Sequence, residues 1–178
     1  NGDWKDASLD SDKDGEKWSW SYGWENYSDG NYTVVAKAID KAGNEITSTK
    51  FELIVDSTAP TIPGDFRTFN VSNSSAKVYV AYLDFAGSND DTSGIKKYEV
   101  YRDKEKIADI NVVKDSSNSN YTGNANQPYY FVDQDLSAKS YDYQIKATDN
   151  AGNTSETPII SVDTTGKTIE QDKISELK

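Results

Sequence analysis

The segment YDYQIKATDNAGN, residues 141–153, decides how this chain folds. Taken at every second position, Tyr141, Tyr143, Ile145 and Ala147 fall on one side of an extended strand, with polar residues on the other. The closing D-x-A-G-N suits a tight hairpin, with glycine where a positive φ is needed. The same pattern occurs 109 residues earlier as YTVVAKAIDKAGN, residues 32–44. Tyr32 matches Tyr141, Asp40 matches Asp149, Gly43 matches Gly152 and Asn44 matches Asn153. A second β-like run follows each copy: ITSTKFELIV after the first, and ISV, beyond Pro158, after the second.

Two such units in 178 residues predict two small domains. Between them lies DSTAPTIPGDF, residues 56–66, in which Pro60 and Pro63 fix their own φ and push Ala59 and Ile62 toward extended conformations. This reads as a short, semi-rigid connector, with the boundary near residue 60. The runs SAKVYVAYLDF, KKYEVYRD, EKIADI and YYFVDQDL add short strands separated by polar turns. The expected fold is all-β: two tandem β-sandwiches joined by a proline-containing linker, spanning residues 1–59 and 60–165. Residues 166–178 form a linker or short helix, with Thr168 and Gln171 at capping-box spacing.

Composition narrows the chemistry. The chain has no Cys, His or Met, which removes thiol nucleophiles, imidazole bases, Cys/His zinc sites and disulfides. A formal charge of −11 argues against a nucleic-acid backbone as partner and favours divalent cations. No apolar run is long enough to span a membrane, and NGDWKDASLD is not a signal peptide, so membrane insertion is not expected.

The residues from TIPGDF through ATDNAGNTSE, about 60–165, resemble the fibronectin type III modules of secreted bacterial enzymes and surface proteins. Tyr98-x-Val100-Tyr101-Arg102-Asp103, Val132-Asp133…Leu136 and Tyr141 through Ser155 carry the likeness. It implies a tyrosine corner at Tyr141, and it places Tyr82 where such modules usually bury a core tryptophan. Loop 111–128 is longer than such modules need. Residues 1–59 resemble the later part of a bacterial Ig-like domain, through Leu9-Asp10, Trp18-Ser19, Asp29 through Thr33, Ala38 through Asn44 and Val55-Asp56…Ala59-Pro60. One or two earlier strands of that domain are missing from the likeness, which reads as a fragment of a longer protein.

Three groups of residues are candidate sites. In WSWSYGW, residues 18–24, Trp18, Trp20, Tyr22 and Trp24 alternate onto one face. That face reads first as core, with Trp18, Trp20 and Tyr22 buried. The alternative is a binding surface of Trp20, Trp24 and Tyr27 for a glycan or a host or cell-wall protein, because Gly23 invites a break in the strand. Asp10, Asp12 and Asp14 followed by Gly15, with the carbonyl of Glu16 next, suit a calcium loop, although Ser21 stands where an EF-hand needs its bidentate glutamate. The competing reading is a solvated acidic turn. Asp40 and Asp149, at the ends of matching strands, are expected to accept backbone hydrogen bonds in their turns, and Asp84, Asp90 and Asp91 likewise; the alternative is calcium binding that stiffens a junction, as acidic residues at such strand ends do in some modular adhesins.

The resemblance implies a non-catalytic extracellular spacer or adhesion module of a bacterial surface or secreted protein, whose partners are neighbouring domains of a longer chain. The alternatives are a carbohydrate- or protein-binding module, an accessory domain of a large secreted protease or glycoside hydrolase, and a surface-layer subunit.

Overall fold

The computed structural model describes residues 2–9, 19–112 and 127–165. The described residues form fourteen strands: β1 Ser8–Leu9, β2 Trp20–Ser21, β3 Gly30–Val34, β4 Lys37–Ile39, β5 Glu45–Thr47, β6 Phe51–Val55, β7 Gly64–Asn70, β8 Ala81–Ala86, β9 Ile95–Arg102, β10 Glu105–Asn111, β11 Pro128–Asp133, β12 Ser140–Asp149, β13 Thr154–Glu156 and β14 Ile160–Asp163. The described residues are all-β, as their alternation predicts.

In the second domain β11, β8 and β7 form one sheet, while β10, β9, β12 and β13 form the other, with β14 also along β12. All pairs are antiparallel. The inward faces follow the pleat: Ala81, Leu83 and Phe85 from β8, Tyr98 and Val100 from β9, and Tyr141, Tyr143, Ile145 and Ala147 from β12. Phe85 stacks on Tyr129 at 5.3 Å and meets the edge of Tyr98 at 5.1 Å, so three rings fill the layer between the sheets. Burying each aromatic removes roughly 150–250 Å² from water.

The parity of β8 corrects one expectation. Tyr82 does not take a core position; Ala81, Leu83 and Phe85 do. Side chains alternate strictly, so Tyr82 lies on the outer face, where it stacks on Tyr130 with an interplanar angle of 9°. Its hydroxyl thereby avoids the need for a buried partner.

Two buried polar networks replace what a disulfide would supply. Asp133 receives Arg102 Nη1 at 3.0 and 2.9 Å and the Tyr143 hydroxyl at 2.7 Å. Burial, and then that hydrogen bond to Asp133, push the Tyr143 phenol far above its usual range, so it stays protonated and donates to Asp133. At the strand entry, the Tyr141 hydroxyl accepts from Ser137 N at 2.9 Å and donates to Ser137 O at 3.2 Å, which is the tyrosine corner that the resemblance implied. Tyr32 makes the matching contact to Ser28 O at 2.7 Å, so the internal repeat extends to the corner.

The first domain is packed differently. Its described strands pair only in twos: β1 with β2, β3 with β6, and β4 with β5. Tyr32, Val34, Leu53 and Val55 share a half-buried face, but no described residue before Pro60 is buried. The expectation of a buried aromatic strand therefore fails: Trp20 is 53% and Tyr22 47% exposed, and Trp18 lies outside the described residues. The physical reason is that β2 pairs only with the two residues of β1, and among the described residues no second sheet covers its face.

Candidate functional site at the domain junction

The linker is docked, and its contacts define the site. On the first-domain side, Asp29 accepts Ser57 N at 2.9 Å and the hydroxyls of Ser57 and Thr58 at 2.8 and 2.6 Å. The Thr58 hydroxyl, followed by Ser57, holds the Asp29 carboxyl below its ordinary range. On the second-domain side, Thr61 N donates to Asn89 O at 2.9 Å, and Asn89 N donates back to Thr61 Oγ1 at 2.8 Å. Ser155 Oγ donates to Thr61 O at 3.0 Å and Asn153 Nδ2 to Asp56 O at 3.1 Å. Pro60 and Pro63 are buried between these anchors.

This docking brings three carboxylates together. Asp56 follows β6, Asp90 sits in the β8–β9 loop and Asp149 ends β12. One oxygen from each lies within 4.8 Å of the others. Asp90 is 5% and Asp149 0% exposed. Two unit charges at that separation repel by roughly 3.5 kcal/mol at an effective dielectric of about 20. Among the described residues no Lys or Arg forms an ion pair with any of the three, whereas Asp84, Asp103 and Asp133 each have one such partner and Glu99 and Asp109 two.

Their hydrogen bonds are local and incomplete. Asp90 Oδ1 accepts Ser93 N at 2.8 Å and Gly94 N at 2.7 Å. Asp149 Oδ1 accepts Gly152 N at 2.6 Å and Asn153 N at 2.8 Å, while Asn153 Nδ2 reaches Oδ2 at 2.9 Å. Gly152, at φ 101°, makes this turn available. Asp56 Oδ1 accepts Thr58 N at 3.0 Å, but its Oδ2 is sealed from solvent with no partner.

The repeat supplies an internal control. Asp40 makes the same turn, accepting Ala42 N at 2.8 Å, Asn44 N at 2.9 Å and Asn44 Nδ2 at 2.7 Å, with Gly43 at φ 90°. Asp40 is exposed; Asp149 is wholly buried. Both aspartates accept backbone hydrogen bonds as expected, so the turn accounts for the aspartate in each copy but not for the burial of one against two others.

The remaining candidates lie elsewhere. Asp10, Asp12, Asp14 and Glu16 fall outside the described residues. Trp24 is 39% and Tyr27 55% exposed. Trp24 meets Tyr27 and Tyr32 edge-on, at 66° and 79°, so Trp24 and Tyr27 do not lie in one plane. The aspartate group escaped notice as a set because its members are 34 and 59 residues apart and share no local spacing. The sequence signals were separate: Asp149 ends a strand, and Asp56 opens the linker.

A two-sheet antiparallel sandwich with tyrosine corners defines an Ig-like class of domain. The comparisons agree: residues 2–57 match one bacterial Ig-like domain family and residues 66–164 another, and the chain belongs to the bacterial Ig-like domains. It is also similar to exoglucanase B of Cellulomonas fimi, at 31% identity over 133 residues. That match covers 70% of this chain and 10% of the exoglucanase, so the chain spans about a tenth of that relative's length.

Proposed function

We propose that this chain is a non-catalytic, extracellular pair of modules that spaces or presents neighbouring domains of a longer bacterial protein, with residues 1–59 and 60–165 as its modules. The observation that carries this reading is the docked linker, hydrogen-bonded to both domains through Asp29, Thr61, Asn153 and Ser155. A loose tether would leave these groups to water; a spacer needs them engaged. The similarity of the chain to part of an exoglucanase supports an accessory role beside a glycan-degrading domain. The strand order of the second domain and its tyrosine corner support the fibronectin type III variant of the sandwich.

The acidic residues of the second domain support a role without turnover. Asp84 is paired with Arg67, Asp133 with Arg102 and Glu99 with Lys97 and Lys106, each serving the sandwich itself. No described helix is long and apolar enough to cross a membrane. Small-angle scattering of the whole chain tests the proposal. A two-domain particle with one maximum dimension across salt conditions is expected, and a continuously flexible ensemble would refute it.

A second reading rests on the exposed aromatics. Trp20, Tyr22, Trp24 and Tyr27 offer apolar surface to a glycan or a cell-wall protein. Retardation of the chain in gels containing soluble cellulose derivatives, abolished by Trp20→Ala, would favour this reading over the spacer.

A further inference from the structure

We propose that the outer face of the β7–β8–β11 sheet binds a neutral β-linked glucan chain through Phe69, Tyr82 and Tyr130, flanked by Arg67 and Asp84. The choice of glucan rests on the accessory role proposed above. The site itself lies on the second domain and is separate from Trp20, Trp24 and Tyr27.

The two outer faces of the second sandwich differ in chemistry. An antiparallel sheet packed on a core usually turns polar residues to water. The β9–β10–β12–β13 sheet does so: Lys97 and Lys106 each pair with Glu99 and Asp109, and Lys146 lies 3.7 Å from Glu156. The β7–β8–β11 sheet does not. Leu83, Phe85, Tyr129 and Phe131 face the core, so the pleat turns Tyr82 and Tyr130 outward. The register sets Phe69 opposite Tyr82, Arg67 opposite Asp84, and Asp84 opposite Tyr130. The three rings form a row across the strands, each 6.2 Å from the next between centroids. Tyr130, on an edge strand, is 69% exposed.

The row is held in place. Arg67 donates to both oxygens of Asp84, at 2.9 and 2.8 Å, and its guanidinium lies over the Phe69 ring at 5.8 Å. Rings already fixed on strands lose little freedom on binding. Arg67 and Asp84 cancel in charge, so the face offers an anionic polymer no net attraction. It offers electron-rich ring faces beside hydrogen-bonding groups. That combination matches a β-linked glucose unit, whose equatorial hydroxyls form a polar rim and leave both ring faces as C–H surface.

Size separates this ligand from a protein partner. The six residues of β8 and the three strands measure roughly 20 Å by 14 Å, about 300 Å², at ~3.3 Å per residue and ~4.8 Å between strands. A stable protein interface takes about 800 Å² from each partner. The strip is too small for that and suits a single polysaccharide chain.

The test is native electrophoresis of the full chain through gels containing hydroxyethylcellulose, with dextran, an α-linked glucan, in parallel. Sedimentation velocity without glucan reads self-association. Hydroxyethylcellulose should retard the wild type and Trp20→Ala alike. Tyr130→Ala and Tyr82→Ala should each lose at least tenfold in affinity with unchanged far-UV dichroism. Tyr130→Ala removes an exposed side chain from an edge strand, so it keeps the test decisive if Tyr82→Ala fails to fold. The proposal is overturned if the wild type is not retarded, if Tyr130→Ala is retarded as strongly as wild type, or if Trp20→Ala abolishes the effect. Equal retardation by dextran overturns it too, as does a Tyr130→Ala defect confined to self-association. A chain that scatters as one rigid particle yet binds no glucan sinks this proposal alone and leaves the spacer reading standing.

Discussion

Replacing Arg102 by methionine removes the cation from the carboxylate of Asp133 while keeping most of the side-chain stem. Asp133 is 7% exposed, and its remaining partner is the Tyr143 hydroxyl at 2.7 Å. Breaking a fully buried pair by deleting one member costs about 3–5 kcal/mol. The Arg102 side chain is 31% exposed, so water offsets part of the loss and about 2–3 kcal/mol is expected. With a urea slope of about 1–1.5 kcal/mol/M for a domain this size, the midpoint falls by roughly 2 M. The assay separates the domains without cutting the chain: all four tryptophans precede residue 25, so their fluorescence reports the first domain and far-UV circular dichroism adds the second. Tyr143→Phe should cost about 1.5 kcal/mol alone, and the double variant should deviate from additivity, because both partners hold one carboxylate. A midpoint for Arg102→Met within about 0.5 kcal/mol of wild type would refute the reasoning. So would an equal shift in the tryptophan signal, which would show that the two domains do not unfold separately.

Leu83→Ala empties a wholly buried position of β8 and should cost about 3–4 kcal/mol in the second domain, read by dichroism in urea. Tyr82→Ala, one residue away on the outer face, should cost clearly less; equal losses would contradict the assigned parity. Lys97, and then Lys106, hold Glu99 below the ordinary glutamate range despite its burial. Its contribution is therefore full above the unfolded-state value, near 4.3, and is lost as pH falls through the lower folded value. The stability gap between wild type and Glu99→Gln, followed by urea midpoints, should thus narrow steadily as pH falls below about 4.3; a gap that stays constant or widens as pH falls would show that the ion pair is not its source.

How far the sequence could be read depended on whether a feature was local. The β12 alternation and the D-x-A-G-N turns are set within a dozen residues and appear where the spacing puts them, and the Tyr141 corner appears where the family resemblance implied it. The hairpin at Asp103-Lys104 carries positive φ at both residues, 50° and 71°, and lacks the glycine that would have announced such a turn. The Tyr82 error was one of parity: SAKVYVAYLDF is apolar enough at both registers that alternation alone could not choose a face. WSWSYGW misled for another reason. Alternating aromatics predict burial only if a second sheet lies over them, and no residue in the stretch specifies that sheet. The aspartate group is the extreme case, since only the folded junction brings Asp56 to Asp90 and Asp149.

The account rests on a junction held rigid by its own contacts. The chain has no cysteine, so Lys50→Cys and Lys96→Cys place one spin label on each domain without background. Pulsed electron resonance should give a single narrow distance for the wild type, and a broader distribution for Asp29→Ala, which loses the contacts to Ser57 and Thr58. A broad distribution for the wild type would contradict it.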